Sequence, residues 1–98
     1  MRDYILLMHG DAPLPRPRSE WAAYIGRLQQ ANVFQGGSSI GGGVCMAKSG
    51  AGEPITNAVH GYIRVNAVDL EAARALVIGN PVYEAGGTVE IRELLRDE

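Results

Sequence analysis

The chain has 98 residues, enough for one domain and too few for a second core. Hydrophobic residues make up 46% and charged residues 20%, the balance of a folded globular protein rather than a disordered one. Nine basic against eleven acidic residues leave a net charge of −2, which argues against nucleic acid as a partner because phosphate contacts need a concentrated basic surface.

The first predicted element is YILLMH (4–9), an apolar run without a helical stripe, closed by Gly10, Asp11 and prolines. Its length and flanking turns favour a central strand. The run is too short for a signal peptide or a membrane span, so the reading places the protein in the cytoplasm, away from membranes. PRPR follows, its Arg16 and Arg18 read as a solvated loop. In SEWAAYIGRLQQAN, Trp21, Tyr24, Ile25 and Leu28 recur at helical spacing, with Ser19 as the predicted N-cap and Asn32 as a left-handed ending.

Residues 36–43, GGSSIGGG, hold five glycines and invite comparison with a phosphate-binding loop. No triple of them has the spacing of the dinucleotide fingerprint. Gly36 and Gly41 match the spacing of a P-loop, but Gly42 and Gly43 stand where Lys and a hydroxyl residue belong. The stretch SSIGGGVCMA (38–47) instead alternates, which predicts a strand with one face of Ser39, Gly41, Gly43, Cys45 and Ala47. A face so small must lie against something bulky or leave a cavity. Cys45 is the single cysteine, read as packing rather than chemistry.

After a polar linker, KSGAGEPITN, VHGYIRVN alternates again. Val59, Gly61, Ile63 and Val65 share one face; His60, Tyr62, Arg64 and Asn66 share the other. Asp69 is the predicted cap of a second helix, DLEAARALVIG, that stops at Gly79-Asn80-Pro81. GTVEIREL closes the chain as a last strand. Its Glu90 and Arg92, like Glu71 and Arg74 on the helix, read as solvated pairs.

The order β-α-β-β-α-β is that of an α+β, ferredoxin-like domain spanning residues 1–98. Right-handed crossovers predict an antiparallel four-stranded sheet of order 4-1-3-2 with both helices on one face. The other face is then open to water or to a second copy. This topology sets the end of the first strand (His9, Asp11) beside the start of the third (His60), with Cys45 and the start of the first helix at the same end. His60 is the candidate general base, Arg64 the anion anchor and Tyr62 a hydrogen-bond donor, with His9 and Asp11 as further substrate-binding candidates. The same polar row can equally be a solvated or interfacial surface, since Tyr and Arg anchor many interfaces. No third ligand completes a metal site, and no cofactor is expected.

Several of these stretches together resemble the YCII-related family: the opening YILLMHGD, a W-x-x-Y-I helix leading to GG, HGYIRVNAVDLEAARAL, and the closing NPVYEAGGTVEIREL. The resemblance covers nearly the whole chain and implies a dimeric α+β barrel in which two ferredoxin-like monomers pair through their open sheet faces. Two family hallmarks are missing. An Arg-Pro-x-His sequence is replaced by RPRS (16–19), which puts Ser19 where that His would stand, and GEPITNAVHGY (52–62) lacks the Asp-Gly-Pro-Phe loop. The expectation is therefore a homodimer that binds a small anionic or aromatic organic molecule. As an enzyme it would be a cofactor-free acid–base isomerase or lyase; the alternative is a non-catalytic dimerisation domain.

Overall fold

A computed structural model describes residues 1–14, 16–50 and 54–96. Strand β1 (Arg2–His9) is followed by helix α1 (Arg18–Gln30), β2 (Phe34–Ser39), β3 (Val59–Ala67), α2 (Leu70–Ala75), the single turn α3 (Pro81–Glu84) and β4 (Val89–Leu94). The sheet order is β2-β3-β1-β4, the expected 4-1-3-2 read from the other edge, and every pairing is antiparallel. The fold is the ferredoxin-like one that the element order predicts.

Alternation decides which side of the sheet is buried. Tyr4, Leu6 and Met8 of β1 and Gly61, Ile63, Val65 and Ala67 of β3 are buried, and they meet Tyr24 and Leu28 of α1 and Ala73 of α2. Leu6 and Val65 are wholly inaccessible, and each such side chain contributes about 1.5–3 kcal/mol relative to an exposed one. The opposite face keeps a half-buried apolar centre. Ile5 pairs with Arg64 and Arg92, and Leu7 with Tyr62 and Glu90 across the strands.

Helix ends explain most of the chain's turns. Asn32 closes α1 at φ 60, as expected of a left-handed ending. Asp69 caps α2 by accepting from the Ala72 N–H at 2.9 Å. Ser19 is not a cap: α1 begins at Arg18, after Pro17 (φ −62, ψ 152), which brings the chain in extended, and no side chain caps it. Turn α3 follows where the sequence suggested only a stop. Asn80 Oδ1 accepts from the Val82 and Tyr83 N–H groups, and Pro81 occupies the first helical position.

The second strand departs most from expectation. It runs over Phe34–Ser39 rather than 38–47, and its register breaks between Phe34 and Gly37, around Gly36 at φ 113. It ends because β3 ends: Ser39 pairs with Gly61, Ile40 donates to the His60 carbonyl, and residues 41–47 find no strand beyond. Of the glycine run, only Gly37 serves a close approach; a Cβ there would lie 2.5 Å from the Tyr62 carbonyl oxygen. Gly41, Gly42 and Gly43 have nothing within 4 Å. Part of the linker, residues 51–53, lies outside the described residues.

Candidate functional site

A cavity of about 600 Å³ opens on the helix side of the sheet, where β1, β2 and β3 end beneath α1. Its existence follows from the residues around it. Trp21 and Ile25 are the half-buried flank of the α1 stripe, whose other members, Tyr24 and Leu28, fill the core. Below them the sheet offers glycines at positions 37 and 61, so the floor lacks the side chains that would fill the space. Phe34, Met8 and Val82 complete apolar walls, and His9, His60, Ser38 and Ser39 supply polar groups. Among the described residues, neither an arginine, a lysine nor a carboxylate lines it. An apolar wall with a few convergent polar groups is the usual form of a small-molecule site.

His60 reaches this cavity through a bulge. Met8 pairs with Gly61 and His9 with Val59, so His60 has no counterpart on β1. A bulge of this kind re-aims the extra residue's side chain. The His60 imidazole packs directly over Gly10, where a Cβ would overlap all three ring atoms nearest to it. His60 is exposed.

His9 is tied down differently. Its Nε2 lies 3.1 Å from Glu90 Oε1, and Glu90 also accepts from Arg92 Nη1 at 3.2 Å. These bonds, that to His9 first, hold the Glu90 carboxyl below its ordinary range. With Nε2 as the donor to Glu90, Nδ1 of His9 is left as the free acceptor.

The other candidates divide. Tyr62 contributes to the cavity wall between Gly61 and Ile63, although alternation assigns its side chain to the open face. Arg64 lies outside the cavity; its Nη2 donates to the Gln35 carbonyl at 3.0 Å. Asp11 also lies outside. It accepts from the Thr88 N–H at 2.8 Å and from the Thr88 hydroxyl at 2.7 Å, clamping the loop after β1 to the start of β4. Those bonds, the hydroxyl's first, lower the Asp11 pKa. Cys45 is exposed beyond the end of β2 and forms no part of the cavity. Sequence reasoning missed Trp21 as a wall residue, although its place on the α1 stripe was visible. Among the described residues no cluster of His, Cys, Asp and Glu could hold a metal ion, and no helix is long and apolar enough to cross a membrane.

Comparison with known proteins bears on the fold. No family model matches the chain, and no curated protein does. Among solved structures, the chain is similar to 5-chloro-2-hydroxyhydroquinone dehydrochlorinase (TftG) from Burkholderia phenoliruptrix AC1100, in complex with 2,5-dihydroxybenzoquinone. The TM-score is 0.55 at 14% identity, over 97% of this chain and 95% of that one. At that identity the likeness establishes a shared fold over the whole chain. The resemblance to the YCII-related family continues to rest on the sequence motifs.

Proposed function

We propose that this protein binds a small, flat, hydroxylated aromatic molecule in the cavity under α1 and transfers a proton on it without a cofactor, as a homodimer of YCII-like type. The observation that carries this reading is the cavity wall: Trp21 and Phe34 on the apolar sides, the His60 imidazole at the polar end, and no cationic side chain among the described lining residues. A carboxylate ligand would be desolvated there without a counter-charge, which is costly. A phenol or quinol places its ring against the aromatic walls and its hydroxyls against imidazole and serine. Of the two ligand classes the sequence leaves open, aromatic is therefore favoured over anionic. The similar fold of TftG, solved with a dihydroxybenzoquinone, supports the same class.

His60 is the proposed base. Its imidazole lies in the cavity wall against Gly10, where a hydroxyl of the ligand can reach it. It would accept a proton from a ring hydroxyl or from an acidic ring carbon and return it at a second position, an isomerase-type step. His9 is bonded to Glu90, which shares the open face with Leu7, and is not assigned to the reaction. Arg64 and Asp11 have structural partners and are not assigned to the reaction.

The homodimer is proposed through the open sheet face. Its centre of Ile5, Leu7 and Tyr62 is half-buried and apolar, with Glu90, Arg92 and Arg64 around it, as in interfaces with an apolar core and a polar rim.

A thermal-shift screen against hydroquinones, catechols and benzoates tests the ligand reading, run on the wild type and on His60→Ala. A compound at 100 times its dissociation constant stabilises the fold by about 2.7 kcal/mol, a shift of several degrees for a domain this small. A quinol hit weakened in the variant supports the reading. Hits confined to benzoates, or hits indifferent to His60, would contradict it.

A further inference from the structure

The cavity under α1 is longer than one aromatic ring. Residues paired across an antiparallel ladder share a face. Phe34, Gly37 and Ser39 pair with the buried Val65, Ile63 and Gly61, so all three stand on the helix side of β2. Each of the three lines the cavity. From Gly61 to Val65 is four residues, ~13 Å of strand, and the lining runs that whole way from Ser39 to Phe34. The volume agrees: about 600 Å³, against ~150 Å³ for an engineered cavity that holds benzene. Because this cavity opens to solvent, its length is the stronger measure.

The two ends differ in chemistry. The polar lining residues come from Ser38–Ser39, His60–Tyr62 and His9, where β1 finishes and β3 starts. Four residues along, the described lining is Phe34, Ile63 and Ile25, without a polar side chain. Helix α1 lies over the same axis. It leads from the end of β1 to the start of β2, where the Val33 N–H donates to the Leu28 carbonyl at 3.1 Å. Its first turns therefore lie over the His60 end and its later ones over Phe34. Trp21 and Ile25 are one turn apart, ~6 Å along the helix. Trp21 roofs the polar end, and Ile25 the apolar one.

We propose that the ligand is a fused two-ring phenol. Its hydroxylated ring lies between Trp21 and Gly61, with the hydroxyls toward His60 and Ser39, and its plain ring lies between Ile25 and Ile63 against Phe34. A single ring at the polar end would leave that apolar end to water, which finds no hydrogen-bond partner there. A second ring removes apolar surface of both ligand and protein from water. A polar extension in its place would be desolvated without a partner. This inference rests on the proposed function and names the substrate class within it, with Ser39 and Ile25 as further binding residues.

Catechol and naphthalene-2,3-diol present the same pair of hydroxyls and differ by one ring. Titration calorimetry on the wild type should give a dissociation constant at least ~10-fold lower for the naphthalenediol. Protons of its outer ring should show nuclear Overhauser contacts to the Ile25 and Ile63 methyls, whereas those of catechol should reach the Trp21 indole and neither isoleucine. Ile25→Trp fills the apolar end and should bring the ratio of the two affinities close to one. Should that variant fail to fold, the Overhauser contacts in the wild type decide. A naphthalenediol that binds no tighter than catechol, an outer ring that touches neither isoleucine, or a ratio unmoved in folded Ile25→Trp would each overturn the two-ring ligand. Catechol binding that is still lost in His60→Ala would then leave the single-ring reading standing. Binding of neither compound would overturn both.

Discussion

At the residue scale, the proposed chemistry turns on how His60 is held. Its ring lies on Gly10 because no side chain stands there. Gly10→Ala should therefore displace the imidazole while leaving every charge in place. The expected result is loss of quinol binding comparable to that of His60→Ala, with a stability change under about 1 kcal/mol, since the obstacle is a movable side chain. Equal binding by wild type and Gly10→Ala would show that the ring's position is immaterial.

The surface carboxylates make a second prediction at this scale. The Arg96 guanidinium, bonded to Asp3 at 2.8 Å, lowers that carboxyl from its ordinary 3.8. Thr88 lowers Asp11 from the same value, and His9 and Arg92 lower Glu90 from 4.5. A carboxyl whose pKa is lower folded than unfolded contributes stability above its unfolded value and loses it as pH falls through the folded one. The melting temperature should therefore be insensitive to these groups above about pH 5 and fall progressively below about 4.5. Asp11→Asn should lower the neutral-pH melting temperature and shallow the acid limb. An unchanged acid limb in that variant would mean the Thr88 clamp is energetically idle.

At the element scale, alternation was a reliable guide to β1 and β3 and an incomplete one to β2. In β3 it separated the buried Gly61, Ile63 and Val65 from the polar row correctly. What it could not supply was the bulge: His60 has the parity of Tyr62, yet the extra residue against β1 turns it to the cavity. Nor could it supply a strand's length, which depends on the partner. SSIGGGVCMA alternates to Ala47, but β3 begins only at Val59, and pairing stops with it. Gly37 and Gly42 look alike in sequence and differ in structure. Gly37→Ala brings a Cβ against the rigid Tyr62 carbonyl and should cost about 1–3 kcal/mol in denaturant unfolding. Gly42→Ala, in open space, should be close to neutral. Equal costs at both positions would contradict the register of β2 on β3.

At the scale of the whole molecule, topology was legible because element order and crossover handedness leave few alternatives. The site was half legible. Proximity of His9 and His60 followed from the strand order, but not which side of the sheet holds a void. That depends on what fails to fill the space, here glycines at 37 and 61 beneath Trp21 and Ile25. The roles of Asp11 and Arg64 were hidden for the same reason. Thr88 and the Gln35 carbonyl are partners fixed by distant backbone, not by spacing in the chain.

The most direct test of the cavity reading uses Trp21, the chain's one tryptophan, which stands in the cavity wall. Its indole N–H gives a single resolved nuclear magnetic resonance signal, to be followed while hydroquinone is titrated into the wild type. The prediction is a saturable shift of that signal together with the Gly10, Gly37 and His60 amides, and its loss in His60→Ala. Saturable shifts elsewhere with the indole unmoved would place binding outside this cavity and contradict the account.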